Sequence, residues 1–155
     1  MIYVSHNGVD DISCITGNTT CRTILFAIEH GYHQSTVFID GTTEQPYEEC
    51  HAPDQRLGSQ NGLHFIGYPE DSPPTISCSD LRYHTESFFV DFEDASSQNN
   101  VSFHNIKFEH VILAFSNINV TFTYVEFKDS MVVAFRPCNT AVMVFDNITM
   151  TSDKL

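Results

Sequence analysis

Apolar positions along most of this chain fall in short runs at the period of a strand, and one stretch alone keeps the period of a helix. Ile24, Leu25, Ala27 and Ile28 line one face of a segment running from Cys21 to His30. Thr20 or Thr23 is placed to cap its start and Gly31 to stop it, which predicts a helix over 21–31. Ahead of it, Ile2-Tyr3-Val4 reads as a short strand entering a polar loop. After it, Thr36 to Asp40 reads as a strand ended by Gly41, and residues 42–62 as a long polar loop tied down through Cys50. Leu63 to Tyr68, Thr75 to Cys78 and Ser87 to Phe92 are further strands, with Pro69, Pro73 and Pro74 turning the chain between the first two. The gaps have no room for crossover helices, which argues against a doubly wound α/β sheet.

One motif then recurs. Val101-Ser102-Phe103-His104-Asn105-Ile106-Lys107-Phe108 returns as Val120-Thr121-Phe122-Thr123-Tyr124-Val125-Glu126-Phe127, and more loosely as Phe145-Asp146-Asn147-Ile148-Thr149-Met150. Aligning Phe103, Phe122 and Phe145 gives offsets of 19 and 23 residues, and Phe38, Phe65 and Phe89 extend the series upstream with offsets of 27 and 24. A period of about 20–25 residues filled only by short strands is the pattern of a β-solenoid. Each coil then holds about three strands and stacks on the next at ~4.8 Å. Phe above Phe and Ile above Val form its internal stack. Asn105 and Asn147 take the same place in the repeat, where a bend with a left-handed residue is expected; Tyr124 interrupts that series. An antiparallel sandwich also has short, regularly spaced strands, but it calls for tight hairpins. Asp40-Gly41 and Asn61-Gly62 join no closely spaced strands.

Composition sets the compartment. Formal net charge is −13 with seven Lys and Arg, so nucleic-acid and anionic-membrane partners are not expected. Asn18, Asn100, Asn119 and Asn147 each open an Asn-x-Ser/Thr sequon. None of the five cysteines has CxxC spacing, so disulfides are expected. Cys14 and Cys21 flank a short loop, and Cys50 and Cys78 flank a long one. Cys138 is left over, unpaired or with a partner outside the chain. Each bridge is worth about 2–4 kcal/mol, chiefly by restricting the unfolded chain. No hydrophobic run approaches the ~20 residues of a membrane-spanning helix. The opening residues lack a signal peptide, and the chain stops abruptly at Leu155, so it reads as a C-terminally truncated piece of a longer protein.

Tyr3-Val4-Ser5, Gly8, Asp10 and Asp11, then Cys14, Cys21-Arg22-Thr23-Ile24, Gly31, Gly41, Leu63-His64-Phe65-Ile66-Gly67 and the Phe-x-Asn-Ile-x-Phe coils follow one after another. This order resembles the N-terminal cap and first coils of the pectin-lyase-like family, in its extracellular eukaryotic form. The resemblance covers nearly the whole chain in pattern but carries no catalytic signature. It implies an all-β fold: a right-handed parallel β-helix of three-strand coils with a short capping α-helix that plugs one end. The cap would occupy 1–35 and about five coils 36–155, as a single domain.

Many relatives of that kind cleave polysaccharides, so candidate chemistry has to be weighed. Asp91, Glu93 and Asp94 are the carboxylates best placed along one strand, yet the family's paired aspartates, Gly-His-Gly and catalytic arginine are missing. Arg22, Arg56, Arg82 and Arg136 sit in no lyase motif. His30 with His33, and His104 with His110, show no convincing ligand spacing. Asp10 with Asp11, or Glu70 with Asp71, offers oxygen ligands for calcium without the calcium-loop pattern. No catalytic residue, metal or cofactor is therefore assigned. The chain is expected to be a non-catalytic extracellular module, a spacer or an adhesion or ligand-binding ectodomain, whose partner is an extracellular protein or a glycan. The alternative is the opening part of a lyase or glycosidase whose catalytic coils lie downstream. Self-association through an exposed last coil is also expected.

Overall fold

The structure, a computed structural model, describes residues 1–31, 36–49, 62–78, 100–116, 119–135 and 142–153. In chain order these form β1 (Ile2–Val4), α1 (Ile12–Ile15), α2 (Ile24–His30), β2 (Thr36–Asp40), β3 (Tyr47–Glu48), β4 (Leu63–Tyr68) and β5 (Thr75–Ser77). They continue with β6 (Asn100–His104), β7 (Lys107–Glu109), β8 (Ile112–Ser116), β9 (Asn119–Thr123), β10 (Glu126–Lys128), β11 (Met131–Phe135), β12 (Met143–Asp146) and β13 (Thr149–Thr151). The fold is all-β, with two short helices near the start.

Among the described residues all the paired strands run parallel, in three sheets. One follows the order β1-β2-β4-β6-β9-β12, the second β13-β10-β7-β5-β3, and the third pairs β8 with β11. From β6 onward the chain visits the sheets in rotation: β6, β7, β8, then β9, β10, β11, then β12 and β13. The repeat thus becomes register. Phe103 pairs with Phe122, and Phe122 with Phe145; Phe108 pairs with Phe127.

Alternation within each strand decides which rings go inside. Phe65, Phe103 and Phe122 are fully buried, with Phe65–Phe103 centroids 4.8 Å apart and Phe103–Phe122 5.4 Å apart, each pair nearly parallel. Phe108 stacks on Phe127 at 5.5 Å, and this second column meets the first edge-on, at 5.4 Å from Phe103 and 5.3 Å from Phe122. Parallel rings follow the strand spacing, and edge-on contacts suit the aromatic quadrupole. Phe145 continues the first column but is 48% exposed, and Val144 and Met150 beside it are exposed as well.

At the other end the helices cover β1. Asp11 caps α1, its carboxylate accepting from the Ser13 amide at 2.8 Å, and Thr23 caps α2, accepting from the Phe26 amide at 3.2 Å. Cys14 and Cys21 form a disulfide. Cys21 also extends the sheet, donating its amide to Tyr3 at 2.8 Å and accepting from Ser5 at 2.9 Å.

Four expectations need correction. The helix begins at Ile24, not Cys21, because Cys21 pairs beside Val4 and the Arg22 and Thr23 amides bond to Asp10. The loop ahead of it contains α1. β3 falls inside the stretch read as the 42–62 loop, where Tyr47 is buried. Phe38 is not in the internal column: Val37 pairs with Phe65, and Phe38 lies on the opposite face, stacked on Tyr3 at 5.1 Å. The strand over 87–92, with Phe89, lies outside the described residues.

Candidate functional site

Each strand of the first sheet from β6 onward ends in a sharp bend made by one residue in the left-handed region. Asn105, Tyr124 and Asn147 hold φ of 55°, 53° and 55°. The bends stack, the Asn105 amide donating to the Thr123 carbonyl at 3.0 Å and the Tyr124 amide to the Asp146 carbonyl at 3.1 Å. Asparagine tolerates this backbone and tyrosine does so poorly. Two bends therefore carry the residue the backbone favours, and the one between them does not.

Asn105 is buried and organises what lies beside it. Its side-chain amide donates to the carbonyls of Gly67 at 3.1 Å and Pro69 at 3.2 Å. Gly67 has to be glycine here, because a Cβ would overlap the Asn105 carbonyl and the Pro74 ring. After the cis Tyr68–Pro69 bond the chain turns tightly, the Ser72 amide donating to Pro69 at 3.1 Å. That turn holds out Glu70 and Asp71, both exposed and without a partner among the described residues.

Tyr124, 56% exposed, stands between two open clefts. The larger, of about 450 Å³, is lined by Glu70, Asp71, His104, Asn105 and Tyr124. The His104 ring meets Tyr124 edge-on at 5.6 Å. The smaller, of about 200 Å³, runs past Lys107 and Glu126, which form an ion pair at 3.8 Å, toward Asn147 and Thr149. The larger cleft thus joins an exposed aromatic ring and two carboxylates, with no Lys or Arg among the described residues of its lining.

The other candidate residues are scattered. Asn18, Asn100 and Asn147 are exposed; Asn119 is half-buried and its Oδ1 accepts from the Val142 amide at 2.8 Å. Cys78 is in a disulfide whose partner lies outside the described residues, as do Cys50, Cys138, Asp91, Glu93, Asp94 and His33. Asp10 and Asp11 are engaged within the cap region: Asp10 accepts from the Arg22 and Thr23 amides and the Thr23 hydroxyl, and Asp11 from Ser13. His30 stacks on Phe26 at 4.0 Å, and His110 lies 3.9 Å from Glu109. No group of three or more His, Cys, Asp or Glu side chains able to hold a metal converges among the described residues.

One buried group has no counterpart in the sequence reading. Glu49 spans the first turn of α2, accepting from the Ile24 amide at 2.9 Å and the Leu25 amide at 3.1 Å. Burial pushes its carboxyl up to about 7 despite those two bonds. Nothing in Tyr-Glu-Glu-Cys distinguishes this glutamate from exposed Glu48.

Comparison with protein-family models, with curated proteins and with solved structures returns no match.

Proposed function

We propose that the chain is a stretch of right-handed parallel β-helix, of the pectin-lyase-like kind, that serves an extracellular protein as a non-catalytic module presenting a binding surface. The observation that carries the reading is the rotation of consecutive strands through three parallel sheets with Phe held over Phe. A coil built that way cannot bury its inner face alone, so its purpose is a rigid, extended outer surface. The cleft at Tyr124 lies on that surface. The Cys14–Cys21 disulfide and the sequons suit an oxidising, secretory setting. Glycosidic cleavage needs two carboxylates disposed across one bond. Glu70 and Asp71 are instead consecutive residues of one turn, and Glu126 is engaged by Lys107. Incubation with a panel of pectic and other plant and animal polysaccharides is expected to release no product above a heat-treated blank. Release of reducing ends or unsaturated sugars by the purified chain would replace this reading with an enzymatic one.

A further inference from the structure

We propose that the cleft between the Pro69–Ser72 turn and Tyr124 is a receptor for a cationic side chain, an arginine or lysine presented by an extended segment of a partner protein. The inference rests on the binding-module reading and names the chemistry of what is bound. Two features converge in this cleft. Tyr124 offers more than half of its surface to solvent at a bend whose equivalents are asparagine. A bulky residue in the left-handed region costs stability, which makes its side chain a candidate for a role other than packing. Glu70 and Asp71 line the same cleft with no cation paired to them among the described residues. They are held there by the buried Asn105, whose amide fastens the turn through Gly67 and Pro69.

An exposed aromatic ring and carboxylates lining one cleft are groups that attract guanidinium and ammonium ions, through the ring quadrupole and direct charge pairing. The net charge of −13 adds long-range attraction for a basic partner. A neutral saccharide would also stack on Tyr124, but it would leave both carboxylates without a counter-charge. A metal ion finds too few converging ligands among the described residues.

The test titrates N-acetyl tetraarginine amide into the purified chain at about 0.15 M salt, with tetracitrulline and cellotetraose as comparison ligands. Tetraarginine is expected to bind and the two neutral ligands to bind at least about 10-fold more weakly. Tyr124→Asn and the double variant Glu70→Gln/Asp71→Asn should each weaken tetraarginine about 10-fold or more. The control Glu29→Gln/Glu44→Gln removes two exposed carboxylates that do not line the cleft and should change affinity less than about 2-fold. Tyr124→Asn should also raise the thermal midpoint, since it restores the residue the bend favours; a purely structural tyrosine would lower it. Equal weakening by the control and cleft variants would reduce the effect to general attraction and overturn the proposal. Binding that no variant weakens, absent tetraarginine binding, or tighter binding of cellotetraose that Tyr124→Asn abolishes would overturn it too. Circular dichroism of each variant separates loss of this site from loss of the fold, and none of these outcomes bears on whether the chain is catalytic.

Discussion

Two residues carry more than their surroundings require. Glu49 is held with its carboxyl raised to about 7, so the folded chain binds a proton that the unfolded chain has released. That contribution to stability is complete below the ordinary glutamate range and is lost as pH rises to about 7. The full span is worth about 3 kcal/mol as an upper figure. Glu49→Gln keeps an uncharged carbonyl for one helix amide, and its stability is expected to be flatter than the parent's between about pH 4.5 and 7. Parallel denaturant titrations would check this, and identical slopes would remove Glu49 as the source. Asp11 and Asp129 act in the opposite sense. Hydrogen bonds from Ser13 and Ser152 hold their carboxyls below the usual range, so their contribution fades only as pH falls through the acid range. Tyr124 carries the other residue-scale cost: because of its left-handed backbone, Tyr124→Asn is expected to be more stable by about 1 kcal/mol. Denaturant unfolding would measure the gain, and a loss would show that the ring contributes packing the exposed surface conceals.

The elements differ in how plainly the sequence announces them. The three downstream turns of the repeat are legible because a phenylalanine series and a strand period recur together, with asparagine at the first and third bends. Phe38 was misplaced because Val37-Phe38-Ile39 is apolar on both faces, and the register, set by Val37 opposite Phe65, cannot be read from such a run. α1 escaped because one turn of Ile-Ser-Cys-Ile shows no period. The cleft escaped because it is made by residues more than fifty positions apart, Glu70 and Tyr124, that only stacking brings together. Column position also sets mutational cost. Phe122, buried between Phe103 and Phe145, is expected to lose about 3–5 kcal/mol on replacement by alanine. Phe145, half-exposed in the same column, should lose clearly less, about 1–2 kcal/mol. Equal losses in chemical denaturation would mean that Phe145 is covered in solution.

At the scale of the whole molecule, the Cys14–Cys21 disulfide and the sequons are what support the proposed oxidising, secretory environment. The sequons are not equivalent within it. Asn100 pairs directly with Asn119 across neighbouring strands, so glycans on both would crowd one another, and Asn119 already accepts from Val142. Glycan is therefore expected on Asn18, Asn100 and Asn147, with Asn119 largely unmodified. The account as a whole stands on an extracellular module of stacked parallel coils. Intact mass and peptide mapping under non-reducing conditions, on chain from a secretory host with and without glycosidase, test that most directly. A Cys14–Cys21 crosslink, an oxidised Cys78 and glycan at those three asparagines are the expected result. Free thiols at all five cysteines and no glycan would put the chain in a reducing compartment and contradict the extracellular role assigned to it.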